Sequence, residues 1–289
     1  MLKDKQIAFV GSGAMAEAII RGLLRQGLLP AANVIASGPR QSRGDDLVQK
    51  YAVRATTDNR EAASQANILM LTVKPQVVGR VLPEIRGAVK SDALVISIAA
   101  GVTLRTLSDG LAHASVVRSM PNTPAQIGLG ITVWTATDEV AEPQRQQTQA
   151  ILGALGEEVF VEDESFLDAA TALSATGPAY VFLFMEAMID AGVHLGFPRR
   201  IAEQLVLQTV LGTVEYARVS PRHPATLRNE VTSPGGTSAE ALYHLEKGGL
   251  RTVVSRAIWA AYQRSVALGR GSDVRLAGRS PDTHQDITD

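Results

Sequence analysis

The sequence predicts an α/β protein in two parts, a mostly parallel sheet flanked by helices and then an all-helical half. Three observations predict it. Short apolar runs alternate with helical patterns from the first residues to about residue 163, the rhythm of successive βαβ units. A strand, a tight glycine turn and a helix follow one another at the very start, around Gly11-Ser12-Gly13. From Glu164 onward the pattern changes to long stretches rich in Ala, Leu, Val and Met with few strand signals, which reads as a second, helical domain.

Taken in order, Gln6-Ile7-Ala8-Phe9-Val10 is the first strand, and Ile19, Ile20, Leu23 and Leu24 form the apolar stripe of the first helix. Between them Gly11-Ser12-Gly13-Ala14-Met15-Ala16 has the spacing of a dinucleotide-binding turn. Gly11 permits the turn, Gly13 lets a pyrophosphate approach the backbone, and Ala16 lets the helix pack closely on the strand. The phosphate would rest on the helix N-terminus, against Ala14 and Met15. The alternative is a plain tight turn.

The second strand, Asn33-Val34-Ile35-Ala36-Ser37, ends without the carboxylate that commonly holds a ribose 2′-hydroxyl. It runs instead into Ser37-Gly38-Pro39-Arg40, with Arg43 behind. A hydroxyl and one or two guanidinium groups at that place favour a 2′-phosphate, hence NADPH with NADH still possible. Arg40 and Arg43 could equally be solvated loop charges.

Residues 67–73 and 93–98 read as buried strands because they are almost continuously apolar. Val116-Val117, Ile131-Thr132-Val133-Trp134 and Val159-Phe160-Val161 complete the series. The loops after these strands are Val73-Lys74-Pro75-Gln76, Ala99-Ala100-Gly101 and Met120-Pro121-Asn122-Thr123-Pro124. Ligands of open α/β sheets gather at the carboxyl ends of strands, so these loops should line the nicotinamide end of the crevice. Each alone could be ordinary turn chemistry.

In the helical part, residues 178–195 and 199–217 are apolar around much of their circumference, more than a half-exposed surface helix needs. Burial against a second copy would explain this, so a homodimer through this domain is expected, with larger assemblies left open. The segment Val231-Thr232-Ser233-Pro234-Gly235-Gly236-Thr237-Ser238 crowds hydroxyls and glycines in front of the helical pattern 239–246. Such a turn presents free N–H groups and short hydroxyls, which suits a small carboxylate; the alternative is a capped loop.

Composition limits the rest. The chain has 289 residues, 45% hydrophobic and 20% charged, with a net charge of −1. That allows two domains and offers no positive field to recruit nucleic acid or acidic membrane surfaces. The absence of cysteine excludes disulfides, thiolate metal sites and a cysteine nucleophile. His113, His194, His223 and His244 show no metal-ligand spacing, and no metal is expected. No long apolar run or leader pattern precedes the first strand, so a cytoplasmic location is the expectation.

Taken together, the chain resembles the pyrroline-5-carboxylate reductase family. The matching motifs are the glycine turn 11–16, Val73-Lys74-Pro75-Gln76, Ile98-Ala99-Ala100-Gly101, Met120-Pro121-Asn122-Thr123-Pro124, Thr171-Ala172-Leu173-Ser174, Gly177-Pro178-Ala179-Tyr180 and Thr232-Ser233-Pro234-Gly235-Gly236-Thr237. They stand in the family's order from about residue 6 to 268. The resemblance implies a Rossmann-like NAD(P)-binding domain (1–163) and an all-helical dimerisation and substrate domain (164–268), with the active site near the subunit interface; the tail (269–289), rich in Gly, Ser, Pro, Asp and Thr with no apolar period, reads as disordered. It implies reduction of the C=N bond of 1-pyrroline-5-carboxylate to L-proline.

Carried over residue by residue, Ser233, Gly236 and Thr237 would hold the substrate carboxylate and Ser238 would place its hydroxyl near the ring nitrogen. Asn59 would meet the cofactor ribose. Coenzyme contacts would then come from Gly11, Gly13, Ala14, Met15, Ser37, Arg40, Asn59, Val73, Lys74, Pro75, Ala99, Ala100, Met120 and Asn122. Two positions depart from the family pattern: Ala175 stands where a glycine is usual, and Ser238 where threonine is usual. These leave room for a related cyclic imine as substrate, or for a non-catalytic NADP-binding regulatory protein. A β-hydroxyacid dehydrogenase would need a lysine in 178–195, and that stretch has none.

Overall fold

The computed structural model describes residues 2–269. The tail expected to be disordered lies outside them, apart from Gly269, the last residue of the final helix. The chain forms two compact units, one of residues up to Ala175 together with those from Tyr262, the other Thr176–Ala261.

The first unit starts β1 (Ile7–Val10), α1 (Ala14–Arg25), β2 (Val34–Ser37), α2 (Gln41–Tyr51), β3 (Arg54–Thr56), α3 (Asn59–Gln65), β4 (Ile68–Leu71) and α4 (Pro75–Ile85). It continues β5 (Leu94–Ser97), α5 (Leu104–Leu111), β6 (Val116–Pro121), β7 (Gly130–Ala136), α6 (Glu142–Gly153), β8 (Gly156–Phe160) and α7 (Phe166–Ala170). The eight strands form one sheet in the order β3-β2-β1-β4-β5-β6-β7-β8. Every pairing is parallel except β6 with β7. That mostly parallel sheet, with the 3-2-1-4-5-6 order of a dinucleotide-binding fold, is what the alternation predicts. Strand β3 has no counterpart in the sequence reading.

Alternate strand residues feed two separate cores, one on each face. Ile7, Phe9, Ile68, Met70, Leu94 and Ile96 pack on one side with α1 and α6. Ala8, Val10, Leu69, Leu71 and Val95 pack on the other with α3, α4 and α5. Burial on both faces is why these strands read as unbroken apolar runs. Ala16 is fully buried on α1, as expected of the small residue closing the glycine turn.

In the second unit lie α8 (Gly177–His194), α9 (Arg199–Val219), α10 (Pro224–Glu230), α11 (Thr237–Lys247) and the first part of α12 (Leu250–Gly269). Helices α8 and α9 pack closely where a Cβ on Gly192 would stand 3.1 Å from Ala202 Cβ. Their ends are tied by Arg199 and Asp190 at 2.8 Å. Yet α8 and α11 bury no residue within the protomer, and α9 buries only Ala202 and Val206. Phe182, Leu183 and Leu195 of this unit are 63%, 67% and 80% exposed.

Between α7 and α8 the chain makes a π turn, Thr171–Ala175. Among the described residues only Ala52 and Ala112 carry positive φ outside glycine. Ala175 therefore stands in ordinary backbone, and its methyl causes no backbone strain.

Candidate functional site

The strand order brings five loops to one edge of the sheet. β1 pairs with β2 on one side and β4 on the other, with Val10 opposite both Ser37 and Leu71. The turns that follow these residues, Gly11–Gly13, Gly38–Arg40 and Thr72–Pro75, are neighbours at the point where the strand order reverses. The loops after β5 and β6 continue the row.

At the glycine turn, Gly11 has φ +106, and a Cβ there would stand 2.7 Å from the Thr72 carbonyl carbon. Only glycine fits that approach. Gly13 has nothing within 4 Å of the same hypothetical Cβ, so open space lies over the turn. The Gly11 N–H donates to Ser37 O at 2.9 Å. No acceptor among the described residues meets the N–H groups of Ser12 and Gly13. Those of Ala14 and Met15 open α1 and are unpaired by helix geometry. Four outward N–H groups at the positive end of a helix make a fitting cradle for a dinucleotide pyrophosphate.

Beside it, Ser37 is fully buried and donates its hydroxyl to Asn59 Oδ1 at 2.7 Å. Asn59, the first residue of α3, in turn donates to both carboxylate oxygens of Glu84 at 3.1 Å. The two residues assigned to the ribose end are thus already joined. Arg40 precedes α2 and is exposed; its carbonyl accepts from Arg43 N and Gly44 N, while its guanidinium has no hydrogen bond or ion pair among the described residues. Arg43, offered with it for a 2′-phosphate, is engaged elsewhere: its Nε donates to Ser12 O at 2.9 Å, and its guanidinium pairs with Glu17. Arg40 is the one of the two with its charge facing solvent.

Farther along the edge, Lys74 is exposed and Pro75 opens α4. Ala99 is buried, its N–H bonded to Ser97 Oγ at 3.2 Å. Gly101, at φ +72, abuts the end of α12, so a Cβ would come 3.0 Å from Leu268 Cβ. Met120 is partly exposed at the end of β6. The Asn122 side chain ties its loop to β7 and to the π turn, accepting from Ile131 N at 3.1 Å and donating to Ser174 O at 3.3 Å. Below this row the buried Arg118 is held by Glu164 and Asp168, each at 3.0 Å. Glu164 also accepts from Leu104 N, and Asp168 from Ser265 of α12. None of this network is visible in sequence, because its members lie 46 to 97 positions apart.

Residues 233–238 stand in the helical unit. Gly236 N–H donates to Ser233 O at 3.0 Å and Gly235 has φ +71. With Pro234 second and a left-handed glycine third, this is the pattern of a type II turn. Gly236 then caps α11, and a Cβ there would lie 2.5 Å from Ser233 Oγ. The turn therefore delivers the Ser233 hydroxyl beside the free N–H groups of Thr237 and Ser238, the first two of an eleven-residue helix. Among the described residues no cluster of acidic residues or histidines could hold a metal.

A family model described as pyrroline-5-carboxylate reductase dimerisation matches residues 164–268. One described as NADP oxidoreductase, coenzyme F420-dependent, matches residues 6–101. A pyrroline-5-carboxylate reductase of Synechocystis is 43% identical over 92% of this chain and 98% of its own. The crystal structure of Plasmodium falciparum pyrroline carboxylate reductase with NADP bound superposes with TM-score 0.85 at 32% identity, covering 93% of this chain and all of that one. A pyrroline-5-carboxylate reductase from Coxiella burnetii gives TM-score 0.82 at 36% identity, over 91% and 98%.

Proposed function

The chain belongs to the pyrroline-5-carboxylate reductase family and is an NAD(P)H-dependent oxidoreductase, and we propose from that premise how its residues reduce 1-pyrroline-5-carboxylate to L-proline. Bound NADPH supplies a hydride to the imine carbon and leaves as NADP⁺, while a proton on the ring nitrogen completes the secondary amine.

The chain's own work is binding and orientation. N–H groups of Ser12, Gly13, Ala14 and Met15 hold the pyrophosphate. Arg40, with the Ser37–Asn59 pair, receives the ribose and its 2′-phosphate, favouring NADPH over NADH. Val73, Lys74, Pro75, Ala99, Ala100, Met120 and Asn122 line the nicotinamide end. Ser233, Gly236 and Thr237 take the substrate carboxylate. Ser238 holds its hydroxyl toward the ring nitrogen and relays a proton from water; with a pKa far above 7 it is no strong acid by itself, and a protonated iminium needs little more. The observation that supports this reading is the turn 233–236, in which Ser233 Oγ lies close to Gly236 at the N-terminus of α11.

The domain limits 1–163 and 164–268 and the homodimer belong to the same proposal. The stretch Phe166–His194 is long and apolar enough to cross a membrane by length and composition. We assign that apolar surface to subunit contact, since the dimerisation model covers it whole, and place the enzyme in the cytoplasm.

The test follows NADPH oxidation with 1-pyrroline-5-carboxylate in wild type and Ser233→Ala. A hydrogen bond to a charged group contributes about 1.5–3 kcal/mol, so the imine KM rises about ten-fold or more while kcat changes less, because the lost interaction is mostly ground-state binding. Unchanged KM would show that the carboxylate binds elsewhere.

A further inference from the structure

Arg43 and Thr72 do nothing in the scheme above, yet both converge on the glycine turn. Arg43 Nε donates to Ser12 O at 2.9 Å. Thr72 Oγ1 donates to Gly11 O at 2.6 Å. In a trans peptide the C=O and the following N–H point in opposite directions, and no described peptide bond is cis. Holding the Gly11 carbonyl toward Thr72 therefore turns the Ser12 N–H away from it, and holding the Ser12 carbonyl toward Arg43 does the same for the Gly13 N–H. Without these two donors a Gly-Ser-Gly segment could rotate either peptide plane at little steric cost.

Arg43 does a second thing. Glu17 stands in the first turn of α1, where its charge would compete with a phosphate for the helix N-terminus. Its carboxylate is instead occupied by Arg43, by the Tyr51 hydroxyl at 2.9 Å and by Lys50 at 3.6 Å. The side chains of Arg43 and Glu17 are only 18% and 20% exposed. From the other side Ser12 is wedged against Gly38, where any Cβ would overlap the Ser12 hydroxyl.

We propose that Arg43 and Thr72 are positioning residues that pre-set the Ser12 and Gly13 amides for the coenzyme pyrophosphate, and that Arg43 is not a 2′-phosphate ligand. The inference rests on the coenzyme reading of the glycine turn given above. It separates two arginines that look alike in sequence: Arg40 selects between coenzymes, and Arg43 strengthens binding of both equally, because both carry the same pyrophosphate.

The test is a fluorescence titration of the intact enzyme with NADPH and with NADH, alongside melting temperature and steady-state kinetics. For Arg43→Met and for Thr72→Val, Kd should rise roughly ten-fold for both coenzymes and by the same factor, through lost pre-organisation. The coenzyme KM rises far more than kcat falls, and Arg43→Lys restores part of the loss. For Arg40→Ala, Kd rises for NADPH alone. Loss confined to NADPH in Arg43→Met, or unchanged Kd for both coenzymes in Arg43→Met and Thr72→Val, would overturn the inference. Should Arg43→Met not fold, Thr72→Val tests the same claim through the other carbonyl. Gly13→Asp separates this failure from failure of the underlying reading. Gly13 has an ordinary backbone conformation, φ −76 and ψ −173, and open space for a side chain, so the aspartate folds without a clash and sets a negative charge over the turn. Coenzyme binding is then abolished if the pyrophosphate lies there, and an unaffected Gly13→Asp would show that it does not.

Discussion

The sheet unit and the helical unit use similar proportions of apolar residues and dispose of them differently. In the first, strands are buried on both faces and the large side chains Phe9, Ile19, Leu23, Ile68 and Met70 are wholly enclosed by their own chain. In the second, α8 and α11 enclose nothing, and phenylalanines and leucines lie bare along them. One part closes its core within the protomer, whereas the other leaves a broad apolar surface that its own chain does not cover. The functional groups follow the same division. The proposed coenzyme residues lie on loops at the strand ends of the sheet, and the proposed carboxylate turn lies among the helices of the dimerisation domain.

The largest effect should come from charging the bare surface. Phe182→Asp combined with Leu183→Asp would bury unpaired charges at a subunit contact, each costing several kcal/mol, and should weaken assembly by at least about a hundred-fold as read by sedimentation equilibrium. An assembly that ignores both changes would break the comparison. The matching change in the other region is Phe9→Ala, which removes a fully buried ring and should lower stability by about 3–5 kcal/mol. Its melting temperature falls while keeping the wild type's dependence on protein concentration, whereas the charged α8 variant, pushed toward monomer, loses part of that dependence.

Binding should divide along the same line. Arg40→Ala should shrink the NADPH advantage about ten-fold, since a charge-assisted contact is worth around 1.5–3 kcal/mol, and leave the imine KM alone. Ser233→Ala does the reverse. A variant of either residue that moved both constants together would blur the division proposed here.

The smallest effect concerns Glu17. The Arg43 hydrogen bond, joined by Tyr51 and Lys50, holds its carboxyl below the ordinary 4.5 against the opposing effect of burial. A depressed carboxyl pKa stabilises the fold fully above the unfolded value and loses that contribution as pH falls through the folded one. The stability gap between wild type and Glu17→Gln should therefore be constant near neutrality and close below about pH 4.5. A gap that widened on acidification would contradict the pairing.

Much of the sheet was legible because its strands are apolar on both faces and end in glycine or proline turns. The turn at Gly11 and the strand ending at Ser37 stand where the pattern predicts them, while the loop read at residues 73–76 turns into α4 at Pro75. Strand β3 escaped because Arg54-Ala55-Thr56 is a three-residue edge with no apolar period. Helix α3 did carry a signal: Asp58 caps it by accepting from Arg60 N and Glu61 N, and an Asp with Glu three residues on marks such starts. The partners of Arg43, Thr72 and Arg118 were out of reach, since their contacts join residues 26 to 61 positions apart or more. Nothing local distinguishes a bracing arginine from a ligand-binding one three residues away.

The central claim is that a cyclic imine acid is gripped by its carboxylate at residues 233–238. A crystal structure of the enzyme with NADP⁺ and L-proline tests it directly. The proline carboxylate should lie within hydrogen-bond distance of the Ser233 hydroxyl and the Thr237 and Ser238 N–H groups, and density for proline away from that turn in every subunit would contradict the proposed grip.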